Sequence, residues 1–227
     1  PYEEGLREGL FCRLPSGEVV RGPVWPGLAA FPDFTDPKAR AWWGEKLKGF
    51  LEMGVAGLWL DMNEPALFAA WGEPTLPASA RHALEGQGGD HRLAHNLYGL
   101  LMARASWEGF RKHAPERRPF LLTRSGHAGV QRYAWAWTGD VESTWEGLRT
   151  TLRALLGLSL SGVYFVGSDI GGFSGNPSPE LYLRWFQMAA WMPFFRSRSI
   201  DTQPSREPWQ AAGPHLDAIR EAMAGAR

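Results

Sequence analysis

Two aspartates, Asp61 and Asp140, stand where apolar runs of the chain end. Gly57-Leu58-Trp59-Leu60 stops at Asp61, and Trp135-Ala136-Trp137 is followed by Thr138-Gly139-Asp140. A pair of carboxyl groups can cleave a glycosidic bond when one attacks the anomeric carbon and the other protonates the leaving oxygen. Tryptophans beside both aspartates suit the apolar faces of a sugar. The residue types therefore favour chemistry on a carbohydrate.

Several of these residues have an alternative interpretation. By position alone, Asp61 could equally cap a turn, and Asp140 could belong to an ordinary Thr-Gly-Asp turn. Glu64 is another carboxylate, but its place beyond the end of the run favours a supporting role. His91 and His95 are spaced i, i+4 and could face a metal, although no third ligand is indicated and packing is favoured. The sequence indicates no metal and no cofactor.

The sequence pattern predicts strands alternating with helices after an extended, turn-rich start. Thr35 or Asp36 is expected to cap a helix that has Pro37 at its first position and ends near Met53. Apolar runs predict strands at residues 55–60, 119–123, 133–137, 162–167 and 193–195. Helical spacing predicts further helices at residues 91–113, 144–158, 179–191 and 214–227.

This alternation predicts an α/β fold, the (β/α)8 TIM barrel, represented by its latter strands. The runs are apolar throughout, as in parallel strands covered on both faces. An open doubly wound sheet is the alternative, but no phosphate-binding glycine fingerprint supports it. We expect one partial catalytic domain, with an extended hairpin and loop region at 1–35, βα units at 36–210 and a C-terminal helix at 211–227. Polar residues lie at or just past the carboxyl ends of the predicted strands, at the barrel face that carries chemistry: Asp61, Arg124, Asp140, Asp169 and Arg198.

The composition argues against nucleic-acid and membrane partners. Basic and acidic side chains balance at 24 each, and no basic arm appears. No apolar stretch is as long as a membrane span. Cys12 is the only cysteine, which excludes a disulfide within the chain and fits a reducing cytoplasm. The chain begins at Pro1 without a signal-like segment, which favours a cytoplasmic fragment of a longer protein.

Four segments, in this order, resemble glycoside hydrolase family 31, the retaining α-glucosidase and α-xylosidase family. The resemblance runs from about Trp25 to Trp209. The segments are Trp59-Leu60-Asp61-Met62-Asn63-Glu64-Pro65; Arg124-Ser125 through Gln131-Arg132-Tyr133 to Trp137-Thr138-Gly139-Asp140; Gly167-Ser168-Asp169-Ile170-Gly171-Gly172-Phe173; and Pro193-Phe194-Phe195-Arg196.

The resemblance implies a role for each matching residue. Asp61 would be the nucleophile and Asp140 the general acid/base, whose pKa must be raised for it to stay protonated. Arg124 and Asp169 would bind hydroxyl groups of the sugar. The walls of the subsite would come from Trp59, Met62, Trp137 and Phe173, with Trp25 and Phe68 nearer its edge. Retention requires the two catalytic carboxyl groups to lie about 5–5.5 Å apart.

The chain departs from the family at Arg198, where a histidine is usual. Arginine is longer and always charged, so it could favour an acidic sugar substituent, turn away or weaken binding. The resemblance also implies barrel strands and β domains before and after this segment.

The expected function is that of a retaining, exo-acting α-glycosidase that releases terminal α-linked glucose from an oligosaccharide or α-glucoside. An α-xylosidase, an α-transglucosylase and a non-catalytic sugar-binding fragment are the alternatives. Linkage preference and whether the protein forms a homo-oligomer stay open.

Overall fold

The computed structural model describes residues 1–68 and 74–225, in two units that divide between Ala134 and Trp135. Helices of the first unit are α1 (Tyr2–Glu8), α2 (Pro37–Lys46), α3 (Lys48–Glu52) and α4 (His91–His113). Its strands are β1 (Arg21–Val24), β2 (Gly27–Ala30), β3 (Gly57–Leu60), β4 (Arg81–His82), β5 (Gly89–Asp90) and β6 (Phe120–Thr123). Short 3-10 helices lie at Leu84–Gly86 and Val130–Arg132.

The second unit continues the alternation of strands and helices. Its strands are β7 (Trp135–Trp137), β8 (Val166–Asp169) and β9 (Phe194–Arg196). Its helices are α5 (Trp145–Leu160), α6 (Pro179–Ala189), α7 (Pro208–Ala211) and α8 (Leu216–Gly225), with a 3-10 turn at Gly213–His215. A core of α6, α8 and the residue after β8 packs around Trp185, whose indole N–H donates to Ser168 Oγ at 3.0 Å.

Parallel pairing within each unit confirms the predicted strand direction. In the first unit β3 pairs with β6, and Leu60 lies opposite Thr123. In the second unit β8 pairs with both β7 and β9, and Asp169 lies opposite Arg196. Because parallel neighbours end at the same edge, this register brings the residues at the strand ends side by side.

Most predicted elements are confirmed, with shifts at their ends. The helix His91–His113 has the predicted bounds. Asp36 is the N-cap of α2, its carboxylate accepting from the Lys38 backbone N–H at 2.8 Å, but the predicted single helix is interrupted at Leu47. The strand predicted at 162–167 is β8 at Val166–Asp169, so Asp169 lies at its carboxyl end as predicted. The predicted division of the chain at residues 36 and 211 stays a prediction.

The expectation of extended structure throughout residues 1–35 is wrong for Tyr2–Glu8, which form α1. The helix has Glu3 and Glu4 in its first turn and Arg7 in its last, which suits the helix dipole. Gly9, at φ 71°, ends it in the left-handed conformation. The seven-residue segment is too short for a helical period to emerge from the sequence. The hairpin predicted around Pro15-Ser16-Gly17 is confirmed by the Leu14 N–H bond to the Glu18 carbonyl at 2.7 Å.

Small residues, not leucines, form much of the buried face of α4. Ala94, Ala103 and Ala105 are fully buried, whereas Leu93 is 65% exposed. At Gly109 the helix meets α2 so closely that a Cβ there would lie 2.5 Å from the Cα of Gly44. Small side chains on this face allow the two helices to approach so closely. None of the described helices is long and apolar enough to cross a membrane.

The contact between Gly109 and Gly44 predicts a cost for adding one methyl group. We expect Gly109→Ala to lower the free energy of unfolding by roughly 1–3 kcal/mol, because the two backbones must separate. In α3, a Cβ at Gly49 would meet no atom within 4 Å, so Gly49→Ala should be neutral or stabilising by up to about 1 kcal/mol. Urea unfolding of both variants checks this; equal effects would contradict it.

Candidate active site

Asp61 directly follows β3, at the carboxyl end of the parallel pair in the first unit. Its side chain is 34% exposed, and its Oδ1 accepts the Met62 backbone N–H at 2.8 Å. Met62 has a φ of 54°, a left-handed conformation that a non-glycine residue adopts at an energetic cost. The turn it makes ends the strand and fixes the carboxylate at the strand tip.

Arg124 lies beside Asp61 because it follows the neighbouring strand β6. Its backbone N–H donates to the Leu60 carbonyl at 3.1 Å, which extends the register by one residue. Its Nη1 lies 3.1 Å from Asp61 Oδ1. Its Nε and Nη2 donate to Glu64 Oε1 and Oε2, each at 2.9 Å. One guanidinium therefore faces two carboxylates.

Asn63 joins the two strand ends below this ion pair. The side chain is 2% exposed, and its amide donates to Thr123 Oγ1 at 2.7 Å. Its carbonyl oxygen accepts the Ser125 backbone N–H at 3.0 Å. Because Thr123 and Ser125 flank Arg124, Asn63 fixes the backbone from which the arginine extends.

A cavity of about 440 Å³ opens next to Asp61, within the first unit. Of the predicted site residues, Trp25, Asp61 and Met62 line it, together with Pro26, Asn63 and Tyr98 among others. Trp25 is 79% exposed at the turn between β1 and β2. Phe68 does not line the cavity but packs edge-on against Trp25, with ring centroids 5.0 Å apart. Trp59, which is 45% exposed in β3, does not line it either.

The other predicted residues lie in the second unit. Trp137 is the last residue of β7 and is buried, while Asp140 follows it by three residues and is exposed. Gly139, at φ 71°, turns the chain just before Asp140. The predicted separation of the two catalytic carboxyl groups stays a prediction.

Asp169 is a buried carboxylate held by an arginine on the next strand. Nε and Nη2 of Arg196 both lie 2.7 Å from Asp169 Oδ1. Burial raises the pKa of the Asp169 carboxyl, an effect opposed by the positive charges of Arg196 and Arg198. Asp169 Oδ2 is buried, and no described residue donates a hydrogen bond to it. That oxygen can accept a hydrogen bond from a bound hydroxyl group.

Arginines also lie over the aromatic rings of this unit. The Arg196 guanidinium carbon lies 5.1 Å from the centre of the Trp137 ring, and that of Arg198 lies 5.6 Å from the centre of the Phe173 ring. Both distances are within the range of cation–π interactions. Trp137, Asp169 and Arg196 thus form one contact group, and Phe173 and Arg198 form another.

Arg206 holds the loop that follows Asp169, and the sequence analysis missed it. Its buried guanidinium donates to the carbonyls of Gly171 and Gly172, at 2.9 and 2.6 Å, and also to the Gly175 carbonyl. It donates as well to Ser143 Oγ at 3.1 Å. Arg206 lies outside any strand or helix, so no periodic pattern marks it.

Three other supporting residues have weak signals in the sequence. Asn63 and Glu64 lie within the first motif, two and three residues after the predicted nucleophile, and Arg196 ends the last motif. The sequence predicted a supporting role for Glu64, and positions near strand ends could have marked Asn63 and Arg196 in the same way. Their specific partners depend on the register between strands that are distant in sequence.

A buried chain of hydrogen bonds contains the two histidines whose spacing suggested a metal. Asp33 Oδ1 lies 3.0 Å from His82 Nδ1, His82 Nε2 lies 3.0 Å from His91 Nδ1, and His91 Nε2 lies 3.1 Å from His95 Nδ1. His91 and His95 therefore pack into a hydrogen-bonded chain, the interpretation that the sequence favoured.

Cys12, Asp33 and His82 are the described residues that have a metal-ligand spacing. The Asp33 carboxylate, however, already accepts hydrogen bonds from Thr35 and from the Ala83 backbone N–H. We interpret this group as a structural network because its donors and acceptors satisfy one another.

Comparison with known proteins supports the fold and shows the family. Residues 1–225 of the chain match the family model of the glycosyl hydrolases family 31 TIM-barrel domain. It is similar to alpha-glucosidase 2 of Bacillus thermoamyloliquefaciens, with 45% identity over 92% of this chain and 26% of the relative. It is also similar to human neutral alpha-glucosidase C, with 40% identity over 98% of this chain and 24% of the relative.

A solved structure extends the similarity to three dimensions. The alpha3-Glc2-bound glucosidase II alpha subunit superposes with a TM-score of 0.88 at 31% identity, over 99% of this chain and 24% of that chain. These matches confirm the predicted fold class, part of a TIM barrel. The chain spans about a quarter of the length of the relatives it matches.

Removing the Arg206 guanidinium should destabilise the second unit. We expect Arg206→Met to lower the free energy of unfolding by roughly 2–4 kcal/mol, because buried carbonyls lose their donors. Arg184→Met is the matched control, since Arg184 forms an exposed ion pair with Glu180 at 3.7 Å, and its effect should stay within about 0.5 kcal/mol. Urea unfolding measures both, and equal losses would count against this role of Arg206.

The buried position of His91 predicts acid-sensitive stability. Burial, aided by His82 and His95 and opposed by Asp90, lowers the pKa of His91 from 6.5 to about 4. Since the unfolded chain binds this proton more readily, stability is complete above pH 6.5 and decreases toward pH 4, by up to about 3 kcal/mol. Urea unfolding between these pH values should show a smaller decrease for His91→Gln. An unchanged pH dependence in that variant would refute the assignment.

Proposed function

Because the chain belongs to glycosyl hydrolase family 31, we propose that the protein containing it is a retaining, exo-acting α-glycosidase. Its proposed substrates are oligosaccharides and α-glucosides with a terminal α-linked glucose. The α-glucosidases among its relatives support a glucoside substrate. The retaining mechanism and the preference for chain ends are our inference from the motifs.

In the proposed reaction, Asp61 attacks the anomeric carbon while the Asp140 carboxyl group gives its proton to the leaving oxygen. The glycosidic bond breaks, and a covalent bond forms between the sugar and Asp61. Asp140, now a carboxylate, takes a proton from water as the water attacks the same carbon. The sugar leaves with its original configuration, and both carboxyl groups return to their starting states.

The observation that carries the proposal is the ion pair between Asp61 and Arg124 at the mouth of an apolar cavity. At 3.1 Å the guanidinium lies directly against the carboxylate that we propose as the nucleophile. The cavity of about 440 Å³ lies within the usual range for small-ligand sites. Trp25 and Met62 supply apolar surface next to the carboxylate, as recognition of a sugar face requires.

The second unit supports recognition of sugar hydroxyl groups. Asp169 has one oxygen bound by Arg196, while no described residue donates to its other, buried oxygen. A hydroxyl donor would satisfy that acceptor and offset its desolvation. Arg198 stacks over Phe173 at 5.6 Å, which supports a role as part of the aromatic wall.

Replacing either proposed catalytic residue should abolish hydrolysis and reveal its role. We expect Asp61→Ala and Asp140→Ala to lower kcat for an α-glucoside at least about 10³-fold. Added azide should restore turnover in both variants. It should yield the β-glucosyl azide with Asp61→Ala, where azide replaces the nucleophile, and the α-glucosyl azide with Asp140→Ala, where azide attacks the covalent intermediate.

The assay uses the full-length protein that contains this chain. Asp217→Ala is the control, because its side chain is 89% exposed on α8, and kcat should not change. Turnover close to that of the parent in either catalytic variant, or azide products of the opposite configuration, would refute the assignment of roles.

A further inference from the structure

We infer that Glu64 is a positioning residue, which orients Arg124 so that the guanidinium supports Asp61 without covering its attacking oxygen. This inference rests on the proposed function of Asp61 as nucleophile. It adds a third residue to the reaction at this strand end, one that contacts neither the sugar nor the bond that breaks.

Glu64 binds one whole edge of the Arg124 guanidinium. Its two carboxylate oxygens accept from Nε and Nη2 at 2.9 Å each, the parallel two-bond geometry that fixes an arginine most firmly. The side chains of Glu64 and Arg124 are only 32% and 18% exposed, so water competes weakly for these bonds. The orientation of the guanidinium plane is therefore set by Glu64.

In this orientation Nη1 faces Asp61. Nη1 lies 3.1 Å from Oδ1, the same oxygen that accepts the Met62 backbone N–H. Both contacts described for the Asp61 carboxylate thus involve Oδ1, which leaves Oδ2 to attack the sugar. An arginine not held by Glu64 could turn its full edge toward Asp61 and bind both oxygens, as arginine commonly does with carboxylates.

Charge gives Glu64 a second effect on Asp61. A single guanidinium faces two carboxylates, so its positive charge is shared between them. The negative charge of Asp61 is consequently less neutralised than it would be if Arg124 bound Asp61 alone. Glu64 itself is a poor candidate nucleophile, because both its oxygens are occupied by the arginine.

The backbone holds these groups in place from both sides. Asn63, the residue before Glu64, binds Thr123 and Ser125, the residues on either side of Arg124. The Asn63 side chain thus fixes the backbone around Arg124, and the Glu64 side chain fixes the Arg124 guanidinium. A misplacement of about 1 Å in such an arrangement can cost 10²-fold in rate.

The test is a double-mutant cycle on Glu64 and Arg124, measured as kcat and KM for an α-glucoside. We expect Glu64→Gln to lower kcat roughly 10- to 100-fold with a smaller change in KM. In an Arg124→Gln background, the same change should cause no further loss of kcat, because Glu64 acts through the arginine. Independent, multiplicative losses, or a parent-like kcat in Glu64→Gln, would overturn the inference.

Controls separate this role from a general effect on the fold. Glu108→Gln removes a similar contact to Arg104, at 2.7 Å on α4, and should leave kcat unchanged. Thermal unfolding checks that Glu64→Gln is folded. If it is not, Glu64→Asp is measured instead: its shorter side chain draws the arginine away, so kcat should fall at least about 10-fold, and a parent-like kcat would overturn the inference.

The outcome for the parent protein distinguishes the two proposals. A parent that does not hydrolyse α-glucosides refutes the proposed function, and the inference with it. A parent that hydrolyses them, combined with an unaffected Glu64→Gln, refutes only the role of Glu64.

Discussion

In a parallel sheet, neighbouring strands end at the same edge, and the acid–arginine pair of each unit depends on this constraint. Leu60 lies opposite Thr123, so the residues that follow them, Asp61 and Arg124, become neighbours. Asp169 lies opposite Arg196 and contacts it directly. Each unit therefore carries an acidic side chain beside an arginine from the adjacent strand. The register determines these pairs, and the loops then determine which ligand can approach them.

The two acidic groups differ in how their charge is stabilised. Asp169 is almost completely buried, and the arginine beside it offsets the cost of removing a carboxylate from water. Asp61 remains one-third exposed and shares its arginine with a second carboxylate. The first arrangement suits a fixed acceptor of hydrogen bonds, since one oxygen is bound and the other is open. The second suits a group whose charge must move during a reaction. Donors fixed before the ligand arrives need no rearrangement as charge develops.

The sequence predicted the parts of this arrangement that depend on local pattern. Apolar runs ending in Asp61, Arg124 and Asp140 indicated strand ends, and the motifs indicated a family. The features that the sequence could not predict depend on contacts between distant segments. The break at Leu47, the small buried face of α4 and the exposure of Trp59 all result from packing, which periodicity does not encode. The partners of Glu64 required knowledge of the register between β3 and β6.

Arg206 illustrates a different kind of specificity. Its buried cation is solvated by main-chain oxygens of Gly171, Gly172 and Gly175, much as a crown ether encloses an ion. Every residue type carries the same carbonyl group, so these three bonds depend on the path of the chain, while a further bond goes to the side chain of Ser143. The loop after Asp169 is consequently constrained in length. An inserted or deleted residue would move a carbonyl oxygen out of hydrogen-bonding range of Arg206. Many substitutions that preserve the backbone path would leave these hydrogen bonds intact.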